Sequence, residues 1–100
     1  MAFAVVYLFD VKEGREDVFE SSWRSLTELI YKYEGSLGSR LHKHGSNHYI
    51  AYALWPSREK WKGYGSSMPE KSQRFSEQMH EACNSIEVLY ELDVVEDLLQ

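Results

Sequence analysis

From Phe3 to Phe9 the chain reads Phe-Ala-Val-Val-Tyr-Leu-Phe, apolar at odd and even positions alike, as in a strand covered on both faces. Glu13-Gly14 interrupts that pattern, and from Arg15 the period lengthens. Val18, Phe19, Trp23, Leu26, Leu29, Ile30 and Tyr33 fall one, three or four positions apart, which predicts one amphipathic helix of about five turns. Glu16 and Asp17 in its first turn and Lys32 in its last suit the helix dipole, and Gly35 offers a left-handed stop. Between Gly35 and Trp55 the period shortens to two. Gly45-Ser46-Asn47 divides runs over 36–44 and 48–55 into an antiparallel hairpin. Pro56 ends the second run, and Ser57 caps a short helix over 58–64 that sets Trp61 and Tyr64 on one side. After a loose Gly/Ser stretch, Pro69 opens a second long helix with a narrow stripe of Phe75, Met79, Ala82 and Cys83, ending near Asn84 or Ser85. Ile86, Val88, Tyr90, Leu92 and Val94 then alternate with Glu87, Leu89, Glu91 and Asp93, predicting a last strand.

The order β-α-β-β-α-β predicts a single α+β domain over residues 1–100: a ferredoxin-like plait whose four-stranded antiparallel sheet carries both helices on one face. The other face would show Ala4, Val6 and Leu8 to water, a larger apolar patch than soluble monomers keep. A homodimer through that sheet face, closing an eight-stranded barrel between the subunits, is therefore expected.

Composition narrows the function classes. Residues 1–65 hold nine Lys/Arg against eight Asp/Glu, whereas residues 66–100 hold two against eight, so no basic patch exists and a nucleic-acid partner is not expected. The first apolar run is too short for a membrane span, and it lacks the basic flank and cleavage pattern of a signal peptide, so a cytoplasmic protein with no membrane partner is expected. One cysteine, Cys83, rules out an intrachain disulfide and a paired-thiolate zinc site. His42, His44 and His48 have no Asp, Glu or Cys between Arg40 and Trp55 to complete a metal site, and they read as exposed hairpin residues; no metal is assigned. There is no phosphate loop, dinucleotide fingerprint or nucleophile elbow. Aromatic residues make up 14% of the chain, enough to line a core or a cavity with rings.

The stretches Tyr33-Glu34-Gly35-Ser36-Leu37-Gly38-Ser39-Arg40-Leu41-His42 and Leu54-Trp55-Pro56-Ser57-Arg58-Glu59-Lys60-Trp61 resemble the second strand, and the step from third strand to helix, of the antibiotic biosynthesis monooxygenase family of dimeric α/β barrels. The likeness extends over nearly the whole chain. It implies a homodimer that binds a small aromatic or conjugated compound between sheet and helices, and oxygenation of that compound with no cofactor. Haem-degrading members carry an Asn on the first strand; counted back from Gly14, this chain has Tyr7 there.

Within that resemblance, His80 is the candidate general base, because an imidazole exchanges protons near neutral pH. Tyr7, Tyr52, Trp61 and Tyr64 are the candidate cavity walls, offering stacking surface and phenol hydroxyls. Arg40 is a candidate anion stabiliser if it points inward. Trp23 and Trp55 read as packing, Asn47 as a turn residue, and Cys83 as a small hydrophobe on its helix stripe. The alternative is a binding or dimerisation module of the same fold without chemistry, in which the rings simply fill the interior.

Overall fold

The computed structural model describes residues 2–99. Its elements are β1 (Phe3–Val11), α1 (Glu16–Glu34), β2 (Gly38–His44), β3 (His48–Trp55), α2 (Arg58–Lys62), α3 (Lys71–Glu81) and β4 (Cys83–Asp93). The strands lie in the order β2-β3-β1-β4 and every neighbouring pair is antiparallel, which is the plait the periodicities predict. Gly35 closes α1 with φ 79°, the left-handed stop read from the sequence.

Three boundaries move for local reasons. Gly63 caps α2 after Lys62, so Tyr64 leaves the helix. Pro69 and Glu70 hold a tight turn, in which their carbonyls accept from Ser72 and Gln73 at 3.0 and 3.2 Å, and α3 proper begins at Lys71. β1 runs on to Val11, where it pairs with Cys83, so β4 starts three residues earlier than its alternation suggests. Asn47 ties the hairpin to this end of β1, donating from Nδ2 to the Val11 carbonyl at 2.8 Å and accepting from the Val11 amide on its own carbonyl.

The core lies between the sheet and the helices. Odd-numbered β1 residues, Phe3 to Val11, face it and are buried except for half-buried Tyr7. Phe19 of α1 is fully buried between Phe9 and Tyr49, with ring centroids 4.9 and 4.8 Å away. The even-numbered residues face the other way and no helix covers them, although Ala4, expected to face water with Val6 and Leu8, is only 1% exposed. Register carries this open face across the sheet from Arg40 and His42 on β2, through Ile50, Tyr52 and Leu54 on β3, to Val6 and Leu8 on β1.

β4 departs from its own alternation. A register shift between Val6 and Tyr7 leaves Leu89 as the extra residue, so Ile86 and Val88 pair on the helix side while Tyr90 and Leu92 pair with Val6 and Ala4 on the open side. The apolar period of two that marks this strand is thus divided between the two faces.

Candidate functional site

A cavity of about 180 Å³ lies between the sheet and α1. It exists because its floor is built from small residues: Ala51 and Ala53 on β3 and Ser39 on β2, among neighbours that are mostly large. Trp23, Leu26, Thr27 and Ile30 of α1 form one wall. Trp55 and Tyr64 line it from the far end of β3 and the loop after α2, with ring centroids 5.3 Å apart. Met79 and His80 of α3 line it from the opposite end. An aliphatic void near 150 Å³ holds a benzene-sized guest, so the size suits a compact aromatic compound.

Polar groups enter this apolar space at few points. Tyr7 accepts a hydrogen bond on its hydroxyl oxygen from Trp61 Nε1 at 2.8 Å. Its own hydrogen is therefore left to donate elsewhere. Burial pushes the Tyr7 phenol up to about 12; the Trp61 hydrogen bond opposes part of that rise, and Tyr64 and Glu91 add to it. The group stays a neutral donor across the physiological range. Burial, and then the Glu34 carboxylate, push the Tyr64 phenol up as well.

His80 is exposed and also lines the cavity, which puts it at the mouth. Its Nδ1 lies 2.7 Å from the Ser76 carbonyl, one helical turn back. A carbonyl only accepts, so Nδ1 carries the hydrogen and the neutral ring keeps a bare Nε2 lone pair.

The structure brings together only part of the set read from the sequence. Tyr7, Tyr64 and His80 line the cavity, and Trp61 stands one step behind, holding Tyr7. Arg40 and Tyr52 do not belong to it. Strand alternation decides this: Ala51 pairs with Tyr7 and points at the helices, so Tyr52, paired with Val6 and Arg40, points to the open face. The candidate roles of Arg40 as an anion stabiliser in the cavity and of Tyr52 as its wall are corrected accordingly.

Trp55 is the residue that reading as packing missed. Its side chain is 2% exposed and packs with Phe3 and Val5, yet its Nε1 is buried without a hydrogen-bond partner while the ring lines the cavity. An unsatisfied buried N–H costs on the order of 1–3 kcal/mol. Sequence alone carries no sign of this, because the orphaned atom depends on which acceptors the fold leaves within reach.

The Cys83 thiol is pushed up to about 11 by burial and by Asp10, with Lys12 acting the other way, so it is not a nucleophile at neutral pH. Among the described residues no group of three His, Cys, Asp or Glu side chains is placed to hold a metal ion. No described helix is long and apolar enough to cross a membrane.

An α+β plait with both long helices on one sheet face, and a small apolar cavity beneath them, defines the class of protein. The chain matches the antibiotic biosynthesis monooxygenase family over residues 2–84 and belongs to it. No match is found among curated proteins. Solved structures resemble it over almost their full length. SnoaB, a cofactor-independent oxygenase from Streptomyces nogalater, is 15% identical, with 99% of this chain and 98% of that one covered and a TM-score of 0.78. Rv0793 from Mycobacterium tuberculosis is 13% identical, with 96% and 100% covered and a TM-score of 0.70. A dimeric ferredoxin-like protein of unknown function from Jannaschia is 15% identical, with 94% and 100% covered and a TM-score of 0.70. At these identities the likeness establishes the fold alone.

Proposed function

We propose that this chain is a cofactor-independent monooxygenase that oxidises a small phenolic or similarly conjugated compound, working as a homodimer paired through the open sheet face. The observation that carries the reading is one cavity lined both by His80, whose Nδ1 is engaged by the Ser76 carbonyl, and by Tyr7, whose hydroxyl hydrogen the Trp61 bond leaves free. SnoaB, with the same fold, is a cofactor-independent oxygenase, which is consistent with this chemistry.

In this reading His80 Nε2 takes the phenolic proton of the substrate. The phenolate places its electron pair on a ring carbon, which forms a bond to dioxygen. The imidazolium returns its proton to the peroxide so formed. Cleavage of the O–O bond then expels hydroxide, which leaves with the hydrogen of that ring carbon as water and produces a quinone. One phenol and one dioxygen give one quinone and one water. The Tyr7 hydroxyl supplies a hydrogen bond to the oxygen that becomes negative, where a preorganised donor acts most strongly. The apolar walls hold the ring flat and keep water from competing.

The experiment is turnover of 1-naphthol under ¹⁸O₂, with product mass and oxygen uptake followed together. One labelled oxygen in the product is expected, with a loss of roughly 10²-fold or more in rate for His80→Ala at unchanged secondary structure. Binding of the naphthol with no oxygen uptake above the buffer rate would favour the module without chemistry.

A further inference from the structure

Thr27 of α1 and Ser39 of β2 line the cavity, and the same two residues line a depression of about 310 Å³ on the outer surface, together with Glu28, Tyr31 and Gly38. Cavity and depression thus meet at this pair. The opening follows from residue size along the edge strand. Ser39 pairs with Ala53 and so points towards the helices, as Leu41 does beside Ala51. Leu41 packs against the core, whereas the short Ser39 leaves a gap beneath α1, and Gly38 next to it has no side chain to close it. Ser36 fixes this edge, its Oγ accepting from the Gly38 amide at 3.0 Å. Because α3 packs on α1 and β4 while α1 packs on β2, the mouth at His80 and this opening lie on opposite sides of α1.

The outer depression differs in chemistry from the apolar cavity behind it. Tyr31 stands one turn beyond Thr27 on the same side of α1 and is 59% exposed, which leaves its ring face as a platform beside the opening. Glu28 is exposed and, among the described residues, takes part in no ion pair. Lys32, one turn further on, lies over the Tyr33 ring at 5.3 Å instead. Glu28 is therefore the one charge lining the depression. A carboxylate beside an open ring face attracts an ammonium group through both its charge and the ring quadrupole, and it repels an anion.

We propose that the gap between Thr27 and Ser39 is a subsite for a side arm of the substrate, and that this arm ends in an ammonium group held by Glu28 and Tyr31. The substrate class is then an aminoalkyl phenol, its ring in the cavity with the hydroxyl towards His80 and its arm passing out on the other side of α1. This rests on the phenol-binding cavity proposed above and narrows what that cavity accepts. Ser39 and Gly38 set the width of the exit, and Glu28 sets the sign of charge at its far end.

Isothermal titration at pH 7 and low salt tests it with three phenols that differ only in the para substituent: p-cresol, tyramine and 4-hydroxyphenylacetate. Tyramine is expected to bind about threefold or more tighter than p-cresol and about tenfold tighter than 4-hydroxyphenylacetate. Glu28→Gln and Tyr31→Ala, both at exposed positions of α1, are each expected to cut the preference for tyramine over p-cresol by about threefold. Ala53→Val, which fills the cavity floor, is expected to weaken tyramine about tenfold, since its ring sits there. If p-cresol binds but tyramine is not preferred, or the preference survives either α1 substitution, or 4-hydroxyphenylacetate binds as well as tyramine, the subsite is overturned and the cavity reading stands. Tyramine binding that Ala53→Val leaves intact places the amine on the surface alone and overturns the link between depression and cavity. A wild-type protein that binds none of the three overturns the phenol-binding cavity and the subsite together.

Discussion

Trp61 Nε1 donates to the Tyr7 hydroxyl at 2.8 Å, and this one bond joins α2 to the central strand across 54 positions of sequence. It does two things at once. It satisfies an indole N–H beneath the short helix, and it occupies a lone pair of Tyr7 so that the phenol hydrogen is free for the cavity. Arg58 reinforces the same seat, bonding Glu91 on β4 and lying 4.8 Å over the Phe3 ring. A five-residue helix that could not persist alone is held by these three contacts.

Trp61→Phe keeps the ring contact with Phe3, at 5.8 Å between centroids, and removes only the donor. The hydrogen bond favours the phenolate of Tyr7, so its loss is expected to raise that group further above about 12. Carbon-13 NMR titration of the Tyr7 Cζ resonance reads the shift. Stability is expected to fall by about 1 kcal/mol in urea unfolding, the worth of one ordinary hydrogen bond. A Tyr7 titration midpoint that moves downward would contradict the assignment.

Ala53 belongs to the small-residue floor and lines the cavity. Ala53→Val adds two methyl groups there, and the expected outcome is loss of 1-naphthol binding by about tenfold or more, with thermal stability unchanged or raised by roughly 0.5–2 kcal/mol because a void is filled. Isothermal titration and a melting curve on one sample decide it. Unchanged binding would place the ligand elsewhere.

The fold was legible because the chain changes period where it changes element: steps of three and four in α1, steps of two on either side of Gly45-Ser46-Asn47. The site was less so. Whether Tyr52 or Ala51 faces the helices turns on a parity of one residue, and only the pairing of β3 with β1 fixes it. β4 shows the opposite failure, since its regular alternation suggests one apolar face and the bulge at Leu89 divides it between two. Trp55 is a third kind of case: its burial was foreseeable from its type, its unpartnered nitrogen was not.

Cys83 is 7% exposed at the start of β4, and burial with Asp10 holds its thiol protonated up to about 11. Attack on a disulfide reagent needs the thiolate and access to it. The native protein at pH 8 is expected to leave Ellman's reagent unreacted for hours, whereas the same chain in 6 M guanidinium should release one thionitrobenzoate per chain within minutes. Rapid reaction of the native protein would mean that the α3–β4 junction opens.

Alkaline titration tests the same burial through stability. Tyr7 is raised from 10.0 to about 12, and Cys83 from 9.0 to about 11. In both cases the folded state holds the proton more tightly than the unfolded chain does. Above the unfolded value the unfolded chain has lost its proton and the folded one has not, so the unfolded state binds fewer protons and stability falls as pH rises. The contribution of Cys83 is fully present below pH 9.0 and fades towards about 11, and that of Tyr7 is present below 10.0 and fades towards about 12. Urea midpoints are therefore expected to be flat between pH 7 and 8.5 and to decline steadily above 9. Cys83→Ala should flatten the first part of that decline, and Tyr7→Phe the later part, since each removes one titrating group. A Tyr7→Phe curve that declines as steeply as the wild type at pH 10.5–11.5 would show that the Tyr7 phenol is no more buried in the folded chain than in the unfolded one, and that it does not face the dry cavity assigned to it.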